Sequence, residues 1–74
     1  MTRMANPDWT DVRTFLEVAR TGSLSAAARA LGVRHTTVAR RVAALEGALG
    51  VSLVLRRPDG VVLTEAATAL LPVG

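Results

Sequence analysis

The chain has 74 residues, of which 50% are hydrophobic and 3% aromatic, and its formal net charge is +3. This length allows one small domain, whose core must be filled by Leu, Val and Ala because aromatic side chains are scarce. The absence of cysteine excludes a disulfide framework and a Cys-based zinc site, and no run of about 18 apolar residues is available to span a membrane.

The first predicted helix lies in the stretch DWTDVRTFLEVARTG, after residues 1–7, which show no pattern and are expected to be flexible. Asp8 and Asp11 resemble an N-terminal capping pair, and Gly22 suits the C-terminal end. Trp9 is expected to pack in the core or at a dimer interface. The spacing i, i+3, i+4, i+7 predicts a buried face made of Val12, Phe15, Leu16 and Ala19.

A second, shorter helix is predicted in SLSAAARALG. Ser23 is a good N-cap, and Gly32 is suited to end the helix. Its alanine-rich face allows another helix to approach closely, because large side chains would hold the two apart. The residues expected on this face are Leu24, Ala27, Ala28 and Leu31.

The third helix is predicted from His35 to Leu49, with Gly50 as its end. Arg34 and His35 stand where a helix usually has a Ser or Asp cap and an acidic first turn, so they oppose the helix dipole. The predicted buried stripe is Val38, Val42, Leu45 and Leu49. The opposite side is expected to carry Thr36 and Arg40, with Thr37 on its flank and only the small residues Ala43, Ala44 and Gly47 further along.

Two β-prone runs, VSLVLRR and GVVLT, follow and are joined by RPDG, which predicts a hairpin of two short strands. Thr64 is suited to cap a last helix that starts EAATALL, with Glu65 in its first turn. Only GVR separates the second and third helices, as a helix-turn-helix requires. The sequence therefore predicts a mainly α fold, a winged helix-turn-helix.

Arginine is concentrated in the middle of the chain. Residues 29–57 hold six arginines against one acid, Glu46, a balance of +5, whereas the remaining residues hold three arginines and five acids, a balance of −2. This distribution favours one positive face directed at a polyanion. By charge alone, an ordinary solvated surface explains it equally well.

The stretch FLEVARTGSLSAAARALGV, followed by TTVARRVAALEGALGVSLVLRRPDGVVLTEAA, resembles the DNA-binding domain of LysR-type transcriptional regulators over residues 9–71. The resemblance implies a winged helix-turn-helix domain over residues 8–64 and the start of a truncated linker helix over residues 65–74. It also implies a homodimer, with a tetramer as the alternative for the full-length protein. The small-molecule effector of the family is expected to bind a separate domain that this chain does not include.

This chain departs from the family pattern at several positions. The family usually has Ser-Gln where this chain has Arg34 and His35, and a Ser where it has Ala39. The wing of the family often has a basic residue at the position of Asp59 and a glycine at that of Ala67. By resemblance, the positions of the third helix that reach DNA are His35, Thr36, Ala39 and Arg40.

The candidate DNA-binding residues lie at the start of the second helix, on the third helix and on the wing. Arg40 is expected to contact a guanine edge or a phosphate, and Arg41 to contact a phosphate or form an ion pair. Thr36 and Thr37 are as well suited to cap the third helix in place of Arg34 as to contact DNA. The complete set is Ser23, Ser25, Arg34, His35, Thr36, Thr37, Arg40, Arg41, Arg56 and Arg57.

Two classes of function fit this pattern. The first is sequence-specific binding of double-stranded DNA in bacterial transcription regulation, and the second is a winged protein-interaction module that binds an acidic partner or itself. An enzyme is not expected, because the chain has one histidine, no cysteine and no paired carboxylates on a shared face. We expect no cofactor or metal, no membrane partner, and a cytoplasmic, nucleoid-associated location.

Overall fold

Helices and one antiparallel hairpin form residues 8–71, the part of the chain that the computed structural model describes. The elements are α1 (Trp9–Thr21), α2 (Leu24–Leu31), α3 (His35–Leu49), β1 (Val54–Arg57), β2 (Gly60–Leu63) and α4 (Glu65–Leu70). This order confirms the predicted winged helix-turn-helix. The expected flexible segment, residues 1–7, and the end of the expected linker helix, residues 72–74, lie outside the described residues.

The helices begin largely where their caps predict. The Ser23 hydroxyl accepts a hydrogen bond from the Ala26 N–H at 3.2 Å, and the Thr64 hydroxyl accepts one from the Ala67 N–H at 3.1 Å. In α1, the Asp8 carboxylate accepts from the Thr10 N–H at 2.8 Å instead of forming the predicted pair with Asp11. Local capping chemistry thus sets most helix starts.

The core consists of two adjoining apolar clusters. One joins α1, α2 and α3 through Val18, Leu24, Ala27, Ala28, Val38 and Val42. The other joins α1, α3, the segment before β1, and α4 through Phe15, Leu45, Leu53 and Ala67. The small α2 residues are buried in the same cluster as larger side chains of α1 and α3, which fits their predicted role at a close helix crossing.

The buried face of α1 is rotated from the predicted one. Thr14, Phe15 and Val18 are buried, whereas Leu16 is 37% exposed. Thr14 tolerates burial because its hydroxyl donates to the Thr10 carbonyl at 2.9 Å. Of the two expectations for Trp9, packing in the core is wrong, since 71% of its surface is exposed, and packing at a dimer interface stays a prediction.

The C-terminal end of the α3 stripe differs from the prediction as well. Val38, Val42 and Leu45 are buried, but Leu49, the last residue of α3, is 37% exposed. No helix in the described part of the chain is long and apolar enough to cross a membrane.

The wing is shorter than the β-prone runs that predict it. Residues 51–53 are not part of the strand, and Leu53 is instead fully buried in the core. The strands pair from Val54 with Leu63 to Arg57 with Gly60, which leaves the two-residue turn Pro58–Asp59.

Candidate nucleic-acid interface

A cleft of about 390 Å³ lies between the start of α2, the start of α3 and the wing. We call it the wing cleft. It brings together five of the ten predicted site residues, although they lie up to 34 positions apart in the sequence. These five are Ser23, Ser25, His35, Arg56 and Arg57.

The wing is held beside α2 by a backbone contact. The Val61 N–H donates to the Gly22 carbonyl at 3.1 Å, directly before the Ser23 cap. Gly60 has a φ of +145°, and a Cβ atom at this position would lie 2.7 Å from the same Gly22 oxygen. Only glycine therefore allows this close approach without a shift of the wing or the turn.

The base of the wing is held by Glu46 of α3. One carboxylate oxygen of Glu46 accepts hydrogen bonds from the Leu53 N–H at 2.7 Å and the Val54 N–H at 3.3 Å. The Thr64 N–H, directly after β2, donates to the Leu53 carbonyl at 3.0 Å. The single acid of the arginine-rich segment is thus engaged with the backbone.

The start of α2 offers both hydroxyl and backbone donors to the wing cleft. Ser23 caps the helix through its side chain, whereas the Ser25 side chain is exposed and forms no hydrogen bond within residues 8–71. The first N–H groups of a helix have no intrahelical acceptor, and together with the helix dipole they favour an anion.

The start of α3 keeps the unusual cap that the sequence shows. Arg34 occupies the N-cap position and makes no side-chain capping bond. Within the described residues, Thr36 and Thr37 form no side-chain hydrogen bond that would replace it, so the predicted alternative of a Thr cap is not observed. The Thr37 N–H donates to the Arg34 carbonyl at 3.0 Å, whereas the N–H groups of His35 and Thr36 have no acceptor within the described residues and are open to an external one.

The predicted outer face of α3 is exposed. His35, Thr36 and Arg40 lie at the surface, and Thr37 is partly buried on the flank. Ala39 packs partly against the core. Further along, the exposed residues are the small ones predicted, namely Ala43, Ala44 and Gly47.

Arg41 lies apart from the wing cleft. It is partly buried and lines a second depression of about 200 Å³ with the exposed Trp9, Arg13 and Leu31. The structure therefore separates Arg41 from the five residues of the wing cleft, on the flank of α3 that faces α1.

The arginines of the predicted site carry charges without ionic partners. The one ion pair within residues 8–71 joins Arg20 to Glu17 at the end of α1, and hydrogen bonding from Arg20 lowers the pKa of Glu17. In the same range, no carboxylate lies within 4.0 Å of the site arginines. Their positive charges are available to an external anion; these arginines are Arg34, Arg40, Arg41, Arg56 and Arg57.

Three residues that shape this interface were not predicted as site residues from the sequence. Glu46 and Gly60 fix the wing, and Asp59 lines the wing cleft. A glycine directly after Pro-Asp signals a turn, but nothing local to Gly60 indicates its contact with Gly22.

A helix-turn-helix followed by a two-stranded wing, with arginines around the start of α3 that have no ionic partner within residues 8–71, defines a winged helix-turn-helix domain of the kind that binds nucleic acid. Residues 9–68 match the model of the bacterial regulatory helix-turn-helix protein, LysR family. The chain belongs to this family, which is one of regulatory proteins and not of enzymes.

Relatives in curated collections agree with this assignment. An HTH-type transcriptional regulator of Mycobacterium tuberculosis is 40% identical over 74 residues, covering 90% of this chain and 24% of the relative. The Mau operon transcriptional activator of Paracoccus denitrificans is 44% identical over 69 residues, covering 86% of this chain and 23% of the relative. The chain thus spans about a quarter of the length of these relatives.

Solved structures of transcriptional regulators contain a domain with the same fold. The CbnR DNA-binding domain in its complex with DNA has a TM-score of 0.81 and 37% identity, covering 84% of this chain and 71% of that one. A hydrogen peroxide-bound C206S mutant of OxyR from Corynebacterium glutamicum has a TM-score of 0.90 and 31% identity, covering 95% of this chain and 22% of that one.

Proposed function

We propose that this chain is the DNA-binding domain of a LysR-type transcriptional regulator and that it binds double-stranded DNA with sequence specificity. The observation that carries this proposal is the wing cleft, where the start of α2, the start of α3 and two wing arginines converge without a neutralising ion pair among the described residues. The likeness to the CbnR domain in its DNA complex supports the same function.

In the proposed complex, α3 enters the major groove by its N-terminal part. Arg40 contacts a guanine edge or a phosphate, while His35 and Thr36 contact neighbouring base edges or backbone. The small residues along the rest of the exposed face, such as Ala43 and Gly47, leave room for the helix to approach the groove closely.

The flanks of α3 bind the DNA backbone in this proposal. Ser23 and Ser25 at the start of α2 hold one phosphate with the free N–H groups, and Arg56 and Arg57 on the wing contact the neighbouring backbone or minor groove. Arg34 and Thr37 add contacts near the start of α3, and Arg41 reaches a phosphate from the other flank.

We further propose that the parent protein works as a homodimer on a two-fold-related site. The family resemblance supports this assembly, and the exposed Leu70 of α4 together with the exposed Trp9 offers apolar surface for it. A small-molecule effector would act through a domain outside this chain. Such a regulator has a binding role, not a catalytic one, and would work in the cytoplasm on the nucleoid.

A salt titration of duplex binding tests the proposal. We expect the logarithm of the association constant to fall linearly with the logarithm of salt concentration, with a slope of about 0.9 for each phosphate neutralised. A chain that shows no salt-dependent binding to any duplex at low ionic strength would contradict the proposal.

The Arg40→Ala variant separates DNA binding from the protein-interaction alternative. A DNA reader loses affinity and relaxes its preference at one base position, because a good arginine–guanine contact contributes about 1–3 kcal/mol of discrimination. Unchanged DNA affinity combined with weaker self-association would favour the alternative. Arg20→Ala is the matched control, since Arg20 is paired with Glu17 outside the wing cleft.

A further inference from the structure

Asp59 introduces an opposite charge into an otherwise basic cleft. It is exposed in the two-residue turn of the wing and lines the wing cleft with Arg56 and Arg57. Asp is common in turns because its side chain can bind the local backbone. Here, within residues 8–71, the carboxylate forms neither a hydrogen bond nor an ion pair within 4.0 Å, so it is free for an external donor.

The backbone beside Asp59 holds this carboxylate near the DNA-binding elements. The next residue, Gly60, lies against the Gly22 carbonyl, and the Val61 N–H donates to the same oxygen. The wing tip therefore cannot swing away from the start of α2 without breaking this contact. DNA bound along the cleft would meet Asp59 together with the neighbouring arginines.

Duplex DNA offers few partners to a carboxylate. Phosphate and deoxyribose oxygens within the duplex only accept hydrogen bonds and repel a second anion, whereas the exocyclic amines of the bases donate. Among the groups of the duplex itself, a carboxylate therefore finds a hydrogen-bond donor only where a base amine faces it. A residue with that requirement carries sequence information, which a phosphate contact does not.

The geometry of B-DNA narrows the choice of amine. The major groove is about 12 Å wide and admits one helix, which is α3 in the proposed complex. A wing beside that helix lies over the adjacent backbone and minor groove. The N2 amine of guanine is the one base donor that the minor groove presents.

We propose that Asp59 is a specificity-determining residue that accepts a hydrogen bond from the N2 amine of a guanine in the minor groove next to the α3 site. Its neighbours Arg56 and Arg57 supply the attraction to the backbone, and Asp59 selects a G·C pair at that position. The inference rests on the proposed DNA-binding function.

The experiment replaces guanine by inosine, which lacks the N2 amine and keeps the major-groove edge of guanine. A preferred duplex is first selected from a randomised pool with the 74-residue chain. Each guanine flanking the centre of a half-site is then changed to inosine in turn. Affinities are measured for the unchanged chain and for Asp59→Ala, Asp59→Asn and, as the control, Asp11→Ala of α1.

We expect one or two inosine substitutions to weaken binding of the unchanged chain and of Asp11→Ala by about five-fold or more, the lower end of the cost of a lost base contact. Asp59→Ala should bind both duplexes equally well. Asp59→Asn should keep part of the discrimination, because its amide oxygen still accepts a hydrogen bond. Thermal unfolding checks that the variants remain folded.

Equal binding of guanine and inosine duplexes by the unchanged chain would overturn the inference, as would full discrimination by Asp59→Ala. Both results leave the proposed DNA binding intact. If the chain shows no salt-dependent binding to any duplex, the proposed function is contradicted, and the proposed role of Asp59 is contradicted as well.

Discussion

The carboxylate of Glu46 in α3 is hydrogen-bonded to the backbone N–H of Leu53, at 2.7 Å, where the chain turns into the wing. The same oxygen also accepts from the Val54 N–H at 3.3 Å. This relationship ties the base of the wing to α3, the proposed recognition helix. The placement of the wing arginines thus depends on an acid that need not contact DNA itself.

We expect Glu46→Ala to lower the free energy of unfolding by about 2 kcal/mol, because two partly buried N–H groups lose a charged acceptor. DNA affinity should fall as well, since the wing loses its fixed position. Glu46→Gln retains an acceptor oxygen and should show a smaller loss of stability. Denaturant unfolding and duplex titration measure the two effects; equal stability of Glu46→Ala and the unchanged chain would contradict this role.

Gly60→Ala should displace the wing. The added Cβ would lie 2.7 Å from the Gly22 oxygen, and the φ of +145° is strained for any other residue. We expect a loss of about 2 kcal/mol in unfolding free energy, in the range of such backbone strain, together with weaker DNA binding.

Gly47→Ala is the matched control for stability. Its Cβ would meet no atom within 4 Å, and the residue lies inside α3, so alanine should stabilise the domain by about 0.5–1 kcal/mol. If Gly60→Ala and Gly47→Ala both lose stability, the close approach to Gly22 is not the cause of the loss in Gly60→Ala.

The wing arginines should contribute mainly electrostatic affinity. We expect Arg56→Ala and Arg57→Ala each to weaken binding to all duplexes about uniformly and to reduce the salt slope by about one. Arg20→Ala should leave the slope unchanged, because Arg20 is paired with Glu17. A change in base preference without a change in slope would indicate base contacts instead.

Helix limits and caps were predictable because their causes are local. Ser23 and Thr64 accept from N–H groups three residues ahead, and the helices before the wing end at glycines with left-handed backbone. Such interactions depend on a few adjacent residues, which a single sequence displays. The predicted range of α3, His35–Leu49, is confirmed for the same reason.

Tertiary contacts were not predictable from these patterns. Thr14 is buried because its hydroxyl binds its own helix, while the more apolar Leu16 faces outward. The bonds of Glu46 to Leu53 and the contact of Gly60 with Gly22 join elements that periodicity treats separately. The sequence therefore did not predict that these residues meet in the wing cleft, because tertiary contacts bring them together. Most of the candidate residues themselves were identifiable by charge and family resemblance.

Alanine variants of the two serines at the start of α2 should distinguish helix capping from DNA contact. Ser23→Ala removes the acceptor for the Ala26 N–H and should cost about 1 kcal/mol of stability. Ser25→Ala should leave stability within about 0.5 kcal/mol, as is usual for an exposed side chain, yet weaken duplex binding. Full DNA affinity in Ser25→Ala would remove this hydroxyl from the proposed interface.

Arg34 is expected to lower the stability of the domain and to raise its affinity for DNA. It occupies the N-cap of α3 without a capping bond and places positive charge at the positive end of the helix dipole. We expect Arg34→Ser to raise the free energy of unfolding by about 1 kcal/mol, because serine supplies the missing acceptor. The same change should weaken duplex binding and reduce the salt slope by about one if Arg34 neutralises a phosphate.

Arg34→Ala distinguishes the two effects, since it removes the charge without supplying a cap. It should lose DNA affinity as Arg34→Ser does, but should gain less stability. Denaturant unfolding and salt titration of the three chains give both quantities. A serine variant that is more stable and binds DNA as tightly as the unchanged chain would show that the unfilled cap is not maintained for phosphate binding.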